Sequence, residues 1–150
     1  MYHGERFNAY SHLAGSMLAV AALVLMTVKA NGPYQLASAL TYGICLILLY
    51  LGSTLYHSIP QPKIKAILQK VDHCMIYLLI AGSYTPFTLI PLKGSWGWSL
   101  FGVSWSLALF GIIQELAIGR KSEKRLLSMM IYVIMGWLIL VAVSPLVRAL

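Results

Sequence analysis

Five long apolar segments separated by short polar breaks constrain this chain more than any other feature. They fall at about residues 12–29, 36–57, 71–91, 96–118 and 126–144. Each is roughly 17–23 residues long, the length a helix needs to cross a hydrocarbon core of about 30 Å. In lipid every backbone polar group must be satisfied within the protein, so segments of this kind fold as helices. The expected fold class is therefore all-α, a polytopic membrane helix bundle forming one integral-membrane domain over 1–150. Composition agrees: 59% of residues are hydrophobic and only 10% charged, against about 25% charged in a soluble domain. The first segment is longer than the core of a signal peptide and further spans follow it, so it reads as a retained helix.

The breaks between segments carry turn chemistry. Gly32-Pro33 separates the first two segments, and Pro60-Gln61-Pro62 ends the second, because proline disfavours helical geometry in the residue before it. Lys63 to Lys70 reads as a short amphipathic piece at the interface, ahead of a third span opening at Asp72-His73. Pro86 lies inside that span and favours a kink. Trp96 and Trp98 open the fourth at aromatic-belt depth, and Ser144-Pro145 is expected to end the fifth.

Eleven Lys and Arg face four acids, a net charge of +7. The basic residues lie in short clusters between apolar runs and form no recognition face, which argues against nucleic acid as a partner. With the N-terminus inside, the inner segments hold Arg6, Lys63, Lys65, Lys70, Arg120, Lys121, Lys124 and Arg125; the outer ones hold Lys29, Lys93 and Arg148. That asymmetry predicts a cytoplasmic N-terminus in a multi-pass protein of the cell (plasma) membrane, in contact with membrane lipids. The two cysteines, Cys45 and Cys74, fall inside spans and read as small buried residues.

Against this apolar background, ionisable groups inside or beside a span are functional candidates, since each is costly to insert. Ser53 and His57 are four apart on one helical face at the end of the second span, and Asp72 begins the third. The chain turns back between them, so all three are expected at one depth on adjacent helices. Histidine ligates metals, a carboxylate orients water or takes its proton, and a serine hydroxyl steadies a developing oxyanion. Plainer roles compete: an interfacial histidine, and an acid capping the third helix. His73 points about 100° away from Asp72 and reads as interfacial or supporting. His12 sits at the mouth of the first span on the same side, and His3 is less attractive still. Glu115 is expected to pair with the basic loop at 119–125, and Tyr50, Tyr56, Tyr77 and Tyr84 to pack.

At these residues the chain resembles a known family. Ser53-Thr54-Leu55-Tyr56-His57, the stretch from Lys70 through Asp72-His73-Cys74 to Gly82-Ser83-Tyr84-Thr85-Pro86-Phe87, the leader Gly4-Glu5-Arg6-Phe7-Asn8-Ala9-Tyr10-Ser11-His12, Gly94-Ser95-Trp96-Gly97-Trp98 and Met135-Gly136-Trp137 are similar to the bacterial haemolysin III family, grouped with the progestin and adiponectin receptors. The resemblance implies a seven-helix bundle, of which five spans are present here, and a zinc cofactor near the cytoplasmic face. It implies His57 as a zinc ligand, Asp72 on the zinc water and Ser53 beside it, and relatives in the wider superfamily suggest hydrolysis of a lipid amide. The family completes its ligand set with a His-x-x-x-His pair on the seventh helix, and residues 1–150 contain no such pair. The competing expectations are a non-enzymatic membrane regulator or cytolysis-associated protein, and an inactive fragment lacking its last two helices.

Overall fold

The computed structural model describes the backbone at 3–118 and 122–149 and the side chains at 4–117 and 126–149. The described residues form helices and short connections without a strand. A 3-10 turn over His3–Glu5 leads into α1 (Arg6–Lys29). Gly32, whose φ of 106° suits glycine, then turns the chain so that Pro33 can open α2 (Pro33–Ser58). At that turn the Asn31 N–H donates to Gln35 Oε1 at 2.7 Å.

Pro62 in turn opens α3 (Pro62–Leu89), followed by α4 (Ser95–Ile118) and α5 (Ser122–Trp137). A 3-10 segment over Leu138–Ala142 and a short α6 (Val143–Ala149) complete the described chain. Among the described residues four stretches are long and apolar enough to cross a membrane: α1, α2, Ser95–Ala117 and Leu126–Ala149.

Two local expectations change. Lys63 to Lys70 is no separate interfacial piece but the opening turns of α3. Proline at the first helical position has no N–H to lose there and its φ is already helical, so the helix begins at Pro62 and runs on through the polar boundary. Ser144-Pro145 likewise does not end the fifth span. Pro145 lies in the first turn of α6, where a missing N–H breaks nothing.

The bundle is arranged around α3, which packs against α2 on one side and against α4 and α5 on the other. Tyr77 and Ala81 of α3 are fully buried with Ala108 of α4 and Ile131 and Met135 of α5. One turn further, Tyr84 joins Leu92, Leu100 and Ala142 in a second core. Because α3 is enclosed by protein, it tolerates polar side chains that a lipid-facing helix would not: Thr85 and Thr88 are buried and return their hydroxyls to the carbonyls of Ala81 and Thr85. α1 shows the opposite pattern, with Phe7, Leu18 and Val28 exposed.

Tyr84 also explains the break in the fifth span. Its hydroxyl donates to the Met135 carbonyl at 2.6 Å and accepts the Ile139 N–H at 2.9 Å. A side chain inserted into a helical ladder takes over bonds the backbone would otherwise make, and α5 yields to 3-10 geometry at that point.

Candidate functional site

The Pro60-Gln61-Pro62 turn folds α3 back along α2, bringing the end of one helix beside the start of the next. The approach is close: a Cβ built on Gly52 would stand 4.0 Å from the Asp72 Cα. Ser53, next in α2, is 5% exposed. His57 lies one turn beyond it, and the charged or titratable groups that act on its ring are Glu5, Asp72, His12 and Lys65. The structure thus gathers Ser53, His57 and Asp72 at one end of the α2–α3 pair.

The start of α1 joins them. The His12 ring meets the His57 ring edge-on with centroids 5.7 Å apart, and Tyr56 lies on another side at 4.7 Å. Glu5 Oε1 stands 3.9 Å from His57 Nδ1, while Glu5 Oε2 accepts from Lys65 Nζ at 2.6 Å. Lys65 also donates to the Tyr56 carbonyl at 2.9 Å and lies over the Tyr56 ring. Gln69 donates to the Tyr56 hydroxyl at 2.8 Å. Within this ring of contacts two atoms stay unsatisfied: Nδ1 of His12 and Nδ1 of His57 are buried without a hydrogen-bond partner. Most buried polar groups in proteins are paired, so two adjacent orphans mark a place where something else is to be bound or moved.

Sequence reasoning singled out Ser53, His57 and Asp72 and placed His12 on the same side. It missed Glu5 and Lys65. The available signal was charge scarcity: Glu5 is one of four acids in the chain, and it lies at the end of the bundle where His57 sits.

His73 does turn away from Asp72, into a second polar cluster between α3, α4 and α5. Its Nδ1 is 3.2 Å from Glu115 Oε1. Ser128 Oγ lies 3.1 Å from Glu115 Oε2 and 3.2 Å from Gln114 Oε1, and the Tyr132 hydroxyl donates to the His73 carbonyl at 3.1 Å. Glu115 contacts His73 and Ser128; its expected pairing with the basic loop falls on side chains at 119–125 that, like that of His3, lie outside those described. The tyrosines pack as expected, Tyr77 against Tyr132 at 4.4 Å and Tyr50 against His12 at 5.9 Å.

Whether this site suits a metal turns on its donors. His57 fits a ligand's wiring, with a carboxylate beyond one ring nitrogen and the other nitrogen left for a cation. Zinc, however, takes three or four protein ligands. Among the described residues no three His, Cys, Asp or Glu side chains converge closely enough to hold a metal ion. The described residues therefore fall short of a zinc ligand set.

Comparison with known proteins assigns the scaffold. The chain is 45% identical over 145 residues to Hemolysin-3 of Bacillus cereus, an alignment covering 95% of this chain and 65% of that protein. It is 44% identical over 149 residues to a Hemolysin-3 homolog of Bacillus subtilis (strain 168), covering 97% of this chain and 69% of the relative. No solved structure matches. The chain thus spans about two thirds of the length of these relatives. The profile described as Haemolysin-III related matches residues 1–150, and the chain is a multi-pass membrane protein belonging to the haemolysin III family.

Proposed function

We propose that residues 1–150 carry one metal ligand and the water-activating residues of a zinc-dependent hydrolase of lipid amides, whose complete form adds the remaining metal ligands. The observation that carries this reading is the buried, partnerless Nδ1 of His57 facing a carboxylate, beside Ser53 and Asp72 in a chain poor in charge. Zinc, when bound, supplies Lewis acidity and lowers the pKa of a water to about 7. The chain's own residues do the rest. His57 would hold the metal through the ring nitrogen turned away from Glu5. Asp72 would take the proton of the attacking water and pass it to the amide nitrogen as the C–N bond breaks and the amine leaves. The Ser53 hydroxyl would donate to the oxyanion on the amide carbonyl. The surrounding lipid supplies the substrate. In this reading the N-terminus is cytoplasmic and the membrane is the plasma membrane, so the site faces the inner leaflet.

The test is a chimera in which residues 1–150 replace the corresponding region of the Bacillus cereus relative. It is expected to hold zinc and to cleave an N-acyl sphingoid amide in nanodiscs, losing zinc with His57→Ala and turnover with Asp72→Asn. Turnover that survives Asp72→Asn would overturn the hydrolase mechanism. The 150-residue chain alone is expected to purify without stoichiometric zinc.

A second reading draws on the relatives' names and on the incomplete donor set: a membrane regulator or cytolysis-associated protein using the metal structurally or not at all. A chimera that binds zinc, turns over no amide and still lyses erythrocytes would favour it.

A further inference from the structure

Glu5 is held in an unusual way for a residue so near a chain's start. One oxygen, Oε2, is clamped by Lys65 at 2.6 Å, and Lys65 is itself fixed by the Tyr56 carbonyl at 2.9 Å and by the face of the Tyr56 ring. The other oxygen, Oε1, is thereby aimed at His57 Nδ1 from 3.9 Å. All three side chains are partly buried, with exposures of 15% for His57, 23% for Glu5 and 17% for Lys65. His57 Nδ1 has no other hydrogen-bond partner.

A neutral imidazole has one N–H and one lone pair, and its surroundings decide which nitrogen carries which. A lone pair on Nδ1 would face the carboxylate and be repelled, whereas an N–H there is attracted. A closure of about 1 Å would bring the pair to hydrogen-bond length. We propose that Glu5 is a positioning residue that fixes the His57 tautomer, keeping the proton on Nδ1 and presenting Nε2 as the lone-pair nitrogen to an incoming divalent transition metal. The identity of the metal rests on the function proposed above; the tautomer does not, since it belongs to the chain without any ligand. The Glu5–Lys65 clasp accordingly does more than tie α1 to α3. It spans 60 positions of sequence to set the proton on one ring.

The experiment is long-range 1H–15N correlation on the chain labelled at its four histidines, in nanodiscs at pH 8, with His57→Phe assigning the signal. An unperturbed histidine, with a pKa of about 6.5, is neutral there. The expected spectrum shows a protonated Nδ1 and an unprotonated Nε2 for His57. Glu5→Gln, which keeps an acceptor for Lys65, is expected to move the proton to Nε2 with helical content unchanged. A clasp with a purely structural role would leave the tautomer unmoved by that substitution, and this result would overturn the proposal. So would an Nε2–H tautomer in the unaltered chain, a result that needs no variant to fold. In the chimera, Glu5→Gln is expected to weaken zinc binding by about 10–100-fold. A chimera that holds no zinc at all would sink the hydrolase reading, while the tautomer result would stand or fall separately.

Discussion

Asp72 and His73 are neighbours on α3, yet they look into two polar regions built on opposite terms. On the α4–α5 side, His73 has Glu115, Glu115 has Ser128, and the His73 carbonyl has Tyr132. On the α1–α2 side, beside Asp72, two imidazole nitrogens are buried with no partner and a carboxylate stops 3.9 Å short of one of them. Both regions are costly to place in a membrane protein. The first recovers most of that cost in its own hydrogen bonds, the Tyr77 hydroxyl excepted, and holds three helices together. The second leaves it unrecovered, with Glu5 Oε1 short of hydrogen-bond distance from the His57 Nδ1 and the other ring nitrogen of His57 turned away from it. Polar residues in a span are thus better sorted by whether they are satisfied than by type.

The largest expected effect tests the satisfied side. Glu115→Ala removes a buried carboxyl and leaves His73 and Ser128 facing an empty position, at an expected cost of about 1.5–3 kcal/mol in unfolding from detergent micelles. Replacing both partners, His73→Leu with Glu115→Leu, is expected to restore much of that. A single substitution costing under about 1 kcal/mol would remove the structural role assigned to this cluster.

Next in size is Tyr84→Phe. The ring still fills the core with Leu92, Leu100 and Ala142, but the Ile139 N–H loses its acceptor and the Met135 carbonyl its donor. A loss of about 1–3 kcal/mol is expected, read by the same unfolding measurement. Amide exchange at Ile139 is expected to quicken.

How much of this the sequence disclosed follows from what kind of information each feature needs. Helix class and four of the five expected apolar stretches were legible because hydropathy over a span-length window is a local property. α3, expected as the third span, is not among the described stretches long and apolar enough to cross a membrane. The meeting of Ser53 and His57 with Asp72 needed only a period of 3.6 and a turn made by Pro60 and Pro62. The central place of α3 was legible in principle: Asp72, His73, Thr85 and Thr88 make it too polar to face lipid, which is itself a sign of enclosure by protein. Its first turns escape a sequence reading because a change from polar to apolar residues resembles a boundary, and backbone hydrogen bonding has no such boundary. Tyr84 could not be read beyond packing, since its role depends on the register of α5 against α3. Glu5 could not be found by period at all, because its partner lies 60 positions away on another helix.

A smaller effect probes the clasp. The Lys65–Glu5 pair is short but its side chains keep 17% and 23% of their exposure. Water and salt therefore reach it, and Lys65→Met is expected to cost only about 0.2–1 kcal/mol. A loss as large as that of Glu115→Ala would show that the α1–α2 corner is held together as firmly as the core, and the contrast would fail.

The smallest expected change is the most telling. His57→Phe keeps an aromatic ring of similar size against His12 and Tyr56 and deletes a nitrogen that is buried with no hydrogen bond. Leaving a polar group unsatisfied costs free energy, and exchanging it for an apolar group of the same shape recovers that cost. Stability in the absence of metal is therefore expected to be unchanged or to rise by up to about 1 kcal/mol, although the residue sits near the centre of the candidate site. Thermal unfolding of the two chains side by side, without metal, measures the difference. If His57→Phe destabilises by 2 kcal/mol or more, a scale set by about the cost of a lost buried bond, then Nδ1 is making a bond that the fold needs. The corner would then be a second structural cluster rather than a site awaiting its ligand.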